Sequence, residues 1–195
     1  VTGGDRSELL GLEFERAGMG AIVARCLAWC REPRTAHIVT TANASHLCMM
    51  RRDAALREAC QAADLAVADG MSVVWALRLL GRPVRERVAG IDLMAQLLDA
   101  GSRDRLRVYF LGARPDVVAR LLAHCRTRYP GLEIAGSRDG YFTPADEPAI
   151  VADIRAQEPH FLDGPAAIYR EPTIVCAAGM NDVGDVDVMV VHIHP

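Results

Sequence analysis

Two rhythms of apolar and polar residues run along this chain. In "MGAIVARCLAWCRE", residues 19–32, apolar positions recur every three or four residues, which predicts a helix with one buried stripe. "AHIVTTA" at 36–42 is a short β-branched run and predicts a strand. Asn43 and Ser45 are N-cap residue types ahead of "HLCMMRRDAALREACQAA", whose apolar spacing predicts a second helix. The same alternation continues. "DLAVADG" at 64–70 reads as a strand, "MSVVWALRLLG" as a helix stopped by Gly81, and "IDLMAQLLDAG" as a helix stopped by Gly101. "RVYFLGA" at 107–113 is the clearest strand. "RPDVVARLLAHCRTRY" follows as a helix with Pro115 in its first turn, then "LEIAGSRDG" as a strand and turn and "ADEPAIVADIRAQ" as a helix.

Strands that alternate with crossover helices predict an α/β fold with a Rossmann-like, mostly parallel sheet and helices on both faces. Ligands in such folds gather outside the carboxyl ends of the strands. Thr41, Asn43, Asp69, Gly70 and Gly112 fall at those ends in the predicted layout. Each has a plain alternative, because Asn and Asp after strands often cap helices. As a set they favour a site. "GRPVRERVAG" at 81–90 is a basic loop with Arg82, Arg85 and Arg87; it reads either as a solvated loop or as a cradle for phosphate.

Composition narrows the class. The 195 residues suit one domain; 51% are hydrophobic and the net charge is −3, which excludes a disordered chain and offers nothing to nucleic acid. Cys26, Cys30, Cys48, Cys60, Cys125 and Cys176 form no C-x-x-C pair, and most lie on apolar helical patterns, so a reducing cytosol is the expected compartment. A span of about 20 apolar residues and a signal-peptide pattern are both missing from the sequence, so the expectation is a chain neither exported nor membrane-spanning.

Familiar catalytic motifs are few. The turn "GARPDVV" lacks two glycines of a dinucleotide fingerprint, and neither a P-loop nor a G-x-S-x-G elbow occurs. His192 and His194 share a strand face but lack a third metal ligand nearby in sequence. What remains is a carboxylate at a strand end, helix N-termini and arginines. That inventory suits transfer from an anionic, nucleotide-activated donor.

Five ordered segments carry a resemblance: "TTANASHL" at 40–47, "ADLAVADGMSVVWALRLLG" at 63–81, "ERVAGIDLM" at 86–94, "VYFLGARPDVV" at 108–118 and "YPGLEIAGSRDGYF" at 129–142. In order and spacing they resemble the motifs of the WecG/TagA/CpsF glycosyltransferases, over about Leu9 to Leu162. The resemblance implies an inverting enzyme of bacterial surface polysaccharide or teichoic acid synthesis. Its substrates would be a UDP-sugar donor of N-acetylmannosamine type and a lipid-diphosphate-linked N-acetylglucosamine acceptor, with no metal or other cofactor. It further implies a cytoplasmic protein with peripheral membrane contact at the inner face of the cell membrane.

Residue by residue, the resemblance makes Asp69 the general base. Thr41, Asn43 and Gly70 would line its pocket, Arg87 would offset diphosphate charge, and Gly112, Asp139 and Tyr141 would form the nucleotide side. Residues 1–162 are then the nucleotide-sugar domain, and 163–195 a divergent C-terminal segment of the same domain. That segment does not align with the family's Gly-rich turn bearing Pro, Gln and Glu, nor with its basic, membrane-facing end. A catalytically impaired nucleotide-sugar-binding module is the alternative function, and a purely structural role comes third. "VDVMVVHIH" at 186–194 would form a last sheet edge able to pair with another chain, leaving a homo-oligomer open.

Overall fold

The computed structural model describes residues 6–31, 37–143, 145–157, 159–165 and 187–191. Its strands are β1 (Arg6–Leu9), β2 (Leu12–Glu15), β3 (His37–Ala42), β4 (Leu65–Ala68), β5 (Arg107–Leu111), β6 (Glu133–Arg138), β7 (Phe161–Pro165) and β8 (Asp187–Val191). The helices are α1 (Met19–Trp29), α2 (Ala44–Met50), α3 (Ala54–Gln61), α4 (Met71–Leu79), α5 (Gly90–Asp104), α6 (Pro115–Arg128) and α7 (Glu147–Gln157). All eight strands join one sheet in the order β1-β2-β4-β3-β8-β7-β5-β6.

The expected α/β architecture is present, with a mixed sheet. Pairs β2–β4, β3–β4, β5–β7 and β5–β6 are parallel, whereas β1–β2, β3–β8 and β7–β8 are antiparallel. Successive strand residues face opposite sides. In β4, Leu65 and Val67 join a core with Ile22 and Cys26 of α1 and Leu93 and Leu97 of α5. Ala66 and Ala68 join the other core, with Leu47 of α2, Cys60 of α3 and Val73, Val74 and Leu77 of α4. Helices therefore cover both faces.

Several local expectations change. The stretch 46–63 is two helices, because Asp53 accepts the Leu56 amide at 3.0 Å and starts α3 afresh after the chain turns at 51–53. Asn43, and not Ser45, caps α2. Helix α5 runs through Gly101 and ends at Arg105, whose φ of 54° is left-handed. Gly101 is buried there, where an added methyl would lie 3.3 Å from Leu132, so its role is close packing.

The N-terminal hairpin escaped sequence reading, since "RSEL" and "LEFE" are short and charged. Leu10 and Gly11 have φ of 53° and 84°, the positive pair that a two-residue turn matching strand twist requires. Glu15 at its end is 5% exposed, yet it accepts Arg25 and the amides of Arg16 and Ala17. The last strand also lies elsewhere than expected: β8 is in the sheet interior, pairing His37–Thr40 on one side and Leu162–Pro165 on the other. It presents no edge. A second apolar run of the C-terminal segment, "TIVCAAG" at 173–179, whose pattern also suits a strand, lies outside the described residues, and so do His192 and His194.

Candidate functional site

Parallel pairing of β3 with β4 places Thr41 opposite Val67 and Ala42 opposite Ala68. The next residues, Asn43 and Asp69, therefore leave the sheet side by side, and the Asp69 amide donates to the Ala42 carbonyl at 3.0 Å. Asn43 caps α2: its Oδ1 accepts the amides of Ser45 at 2.8 Å and His46 at 3.2 Å. His46 Nδ1 accepts the Asn43 amide at 3.1 Å, so the corner is closed from both directions. Gly70 turns the chain into α4 with a φ of 138°, next to Asn43, whose Cβ would be 3.6 Å from an added methyl.

Asp69 serves a helix other than the one that follows it. Its Oδ2 accepts the amide of Gly90, the first residue of α5, at 3.1 Å. Ala89, the formal N-cap of α5, has no side chain to do this, so a carboxylate from the neighbouring strand end does it instead. The capping reading of the residue is thus realised, at one oxygen. Among the described residues Asp69 Oδ1 accepts no hydrogen bond.

Thr41 is the fifth residue of β3 and is 1% exposed, so it lies beneath the rim and not on it. A methyl on Gly90 would sit 3.0 Å from Thr41 Oγ1, which shows how closely α5 is seated on this side chain. The loop 81–89 that leads into α5 is fastened at several points. Val88 donates to Ala68 at 3.0 Å, Arg85 to the Arg16 carbonyl at 3.2 Å, and Glu86 accepts the Met19 amide at the start of α1 at 2.7 Å. Arg82 turns away to Glu8 of β1, with 3.0 Å between Nη1 and Oε2. The three loop arginines do not form one cradle. Arg87 alone lies just before α5, half-exposed and 3.3 Å from Asp92, a contact that bulk water screens.

The second group of expected residues sits three strands away. Gly112 donates to the Arg138 carbonyl at 2.9 Å with a φ of 131°, and Gly140 donates to the Ala113 carbonyl at 2.9 Å. Asp139 Oδ1 accepts the Tyr141 amide at 2.9 Å, and Tyr141 is 70% exposed. These loops border a cleft of about 510 Å³ lined by Tyr109, Ser137, Arg138, Asp139, Tyr141 and Asp153, among others. The Tyr109 hydroxyl donates to Asp153 at 2.7 Å; burial first, and that bond second, push its pKa up. Sequence reading missed Tyr109 and Asp153, because their pairing spans a strand and a helix 44 residues apart.

Thr41, Asn43, Asp69, Gly70 and Arg87 are therefore brought together, and so are Gly112, Asp139 and Tyr141. The two groups stay apart. Their nearest strands, β3 and β5, have β8 and β7 between them and so are about 14 Å apart, three strand spacings; β4, which carries Asp69, and β6, which carries Asp139, are farther. Both groups nevertheless lie at the carboxyl ends of parallel strands, on one rim. Among the described residues no helix is long and apolar enough to cross a membrane.

Comparison with known proteins follows the same boundaries. The chain is 37% identical over 100 residues to the N-acetylglucosaminyldiphosphoundecaprenol N-acetyl-beta-D-mannosaminyltransferase of Bacillus spizizenii (strain ATCC 23059 / NRRL B-14472 / W23). That match covers 51% of this chain and 38% of the relative, so the chain spans well under two thirds of the relative's length. The model of the glycosyl transferase WecG/TagA/CpsF family matches residues 7–162, which carry both rim groups and every strand except β8 and the start of β1 and the end of β7. On that match, the chain belongs to the WecG/TagA/CpsF family of glycosyl transferases.

Proposed function

We propose that this chain carries the catalytic rim of an inverting glycosyltransferase that moves an N-acetylmannosamine-type sugar from UDP to a lipid-diphosphate-linked N-acetylglucosamine. The observation that supports it best is the half-engaged Asp69 carboxylate. Gly90 holds Oδ2 at 3.1 Å and so orients the group, while among the described residues Oδ1 accepts no hydrogen bond. A base fixed at one oxygen loses little orientational freedom when it takes a proton with the other.

In the proposed reaction the acceptor hydroxyl oxygen attacks the anomeric carbon as its proton passes to Asp69 Oδ1. The bond from that carbon to the UDP β-phosphate oxygen breaks, and UDP leaves with the electron pair, inverting the anomeric centre. Arg87 and backbone amides at the rim would balance the charge that grows on the diphosphate, in the role a metal fills elsewhere. Asn43, with Oδ1 committed to the α2 cap, keeps its Nδ2 for a sugar oxygen. Thr41 acts as a positioning residue through Gly90. The cleft beside Asp139 and Tyr141, on the same rim, would take the nucleotide. The Bacillus spizizenii relative, named for transfer of N-acetyl-beta-D-mannosamine to N-acetylglucosaminyldiphosphoundecaprenol, supports the sugar and the acceptor.

The test is transfer from UDP-N-acetylmannosamine to a soluble lipid-diphosphate N-acetylglucosamine analogue, following UDP and product together, with and without EDTA. Product insensitive to EDTA and lost in Asp69→Asn is the expected result. UDP that raises the melting temperature without any product would instead support a nucleotide-sugar-binding module.

A further inference from the structure

Several arginines near the Asp69 rim are already paired with acids: Arg25 with Glu15, Arg82 with Glu8 and Arg87 with Asp92. Two others differ. Among the described residues, Arg16 and Arg85 form no ion pair. Glu86, the acid next to Arg85 in the chain, gives its Oε1 to the Met19 amide in the first turn of α1. Arg16 and Arg85 are both exposed and, with Pro83 and Val84, border a cavity of about 420 Å³.

The fold holds both arginines in place. Arg16 Nε donates to the Pro83 carbonyl at 3.2 Å, and the Arg85 amide donates to the Arg16 carbonyl at 3.2 Å. The Arg85 stem lies along Gly18, where an added methyl would meet its Cδ at 3.1 Å, and Val84 beside it is 3% exposed in the core under the loop. The Nη groups of Arg16 and the whole guanidinium of Arg85 keep N–H donors that the described residues do not use. Two guanidinium forks at one cavity suit phosphate oxygens, and their fixed backbones lower the entropy lost on binding.

Position along the rim says which phosphates. Strands β2 and β4 are parallel neighbours with Phe14 opposite Ala66, so Arg16 leaves the sheet one strand away from the end of β4, which Asp69 follows. The loop 81–89 then bridges the two strand ends: Arg85 bonds to Arg16, Val88 to Ala68, and Gly90 to Asp69. In the sheet order β2 lies on one side of β4, whereas β5 and β6, with the cleft beside Asp139, lie on the other. Inversion needs the acceptor oxygen to enter opposite the departing UDP, so the rest of the acceptor extends away from the nucleotide. The arginine pair stands on that side.

We infer that Arg16 and Arg85 form a second diphosphate subsite, which binds the diphosphate of the acceptor while its sugar hydroxyl lies at Asp69. Choosing the acceptor as the source of that diphosphate rests on the proposed function; the arginine pair and its cavity do not.

The experiment is calorimetric titration of the full chain, which needs no turnover. The probes are UDP, inorganic pyrophosphate, the soluble lipid-diphosphate N-acetylglucosamine analogue, and the same glycolipid without its diphosphate. Arg85→Ala and Arg16→Ala/Arg85→Ala are compared with the parent and with Arg82→Ala, which removes the same charge from the same loop. Affinity for the diphosphate analogue is expected to fall by about 10–100-fold in the double variant and to fall measurably in Arg85→Ala, which breaks no side-chain hydrogen bond. UDP, the diphosphate-free glycolipid and Arg82→Ala should give parental values. Pyrophosphate bound by the parent and lost in the double variant, with the analogue ignored, supports the subsite and counts against the proposed acceptor. Analogue binding that the double variant retains overturns the inference, as does a parent that binds neither pyrophosphate nor the analogue. An equal loss of UDP affinity also overturns it, since the pair would then serve the donor, and so does a loss seen only where the melting temperature falls, since Arg16 would then act through the loop.

Discussion

Asp69 and Gly90 are 21 residues apart in sequence, and the hydrogen bond between the Asp69 carboxylate and the Gly90 amide, 3.1 Å long, ties the end of β4 to the start of α5. The bond makes the two roles of Asp69 separable. Asp69→Asn keeps an oxygen for the Gly90 amide but removes the proton acceptor, so transfer should fall by about 10²–10⁴-fold with the melting temperature nearly unchanged. Asp69→Ala removes both and should in addition cost about 1 kcal/mol of stability. Parallel kinetics and urea melts on the two variants check this; full transfer in Asp69→Asn would sink the assignment.

Arg87 is half-exposed and its contact with Asp92 is a surface pair. Such pairs contribute about 0–1 kcal/mol, so Arg87→Ala should barely change stability. Its effect should fall on transfer, with kcat/KM lower by about 10–100-fold if the guanidinium meets the diphosphate, since charge-assisted bonds of that kind contribute about 1.5–3 kcal/mol. Arg82→Ala, whose side chain is spent on Glu8, is the matched control and should leave transfer unchanged.

Two glycines should respond to a methyl in opposite ways. At Gly136 the new carbon would lie 2.5 Å and 2.8 Å from Tyr109 Cε2 and Cδ2. Tyr109 is 1% exposed and its hydroxyl is fixed to Asp153, so the ring has nowhere to go. Gly136→Ala should cost about 1–3 kcal/mol and distort the cleft beside Asp139. Gly20, exposed within α1, has nothing within 4 Å. Gly20→Ala should gain about 0.5–1 kcal/mol through helix propensity alone. Thermal melts of both variants decide the matter.

Alkali should destabilise the fold through its buried thiols. Burial, the largest cause, pushes the Cys26 and Cys30 thiols from an ordinary 9.0 up to about 12. Above pH 9 the unfolded chain releases these protons while the folded one keeps them, so fewer protons are bound in the unfolded state and stability falls as pH rises. The contribution is complete below 9.0 and is lost progressively from there to about 12. Burial and the Asp153 bond raise Tyr109 in the same sense. Urea midpoints under reductant should drop between pH 8.5 and 10.5, and drop less in Cys26→Ala; a flat profile would refute it.

Local pattern was enough for much of this protein. Helical spacing in 19–29 and 115–128, the β-branched run of β3 and the apolar run of β5 are each encoded in neighbouring residues, because period and turn chemistry act over a few positions. The position of Asp69 and Asn43 at strand ends was legible for the same reason, and ordered motifs carried the family. Other features depend on partners distant in sequence. That Asn43 and Asp69 emerge side by side follows from the β3–β4 register. That Asp69 caps α5, that Arg82 goes to Glu8, and that Tyr109 meets Asp153 are pairings across 21, 74 and 44 residues. The place of β8 is the plainest case: its apolar residues suit an edge or an interior equally, and only hydrogen bonding to β3 on one side and β7 on the other puts it in the middle of the sheet. Sequence determines which segments form elements, because that is settled by local sterics and periodicity; tertiary structure decides which side chains meet, because only packing closes the distance between them.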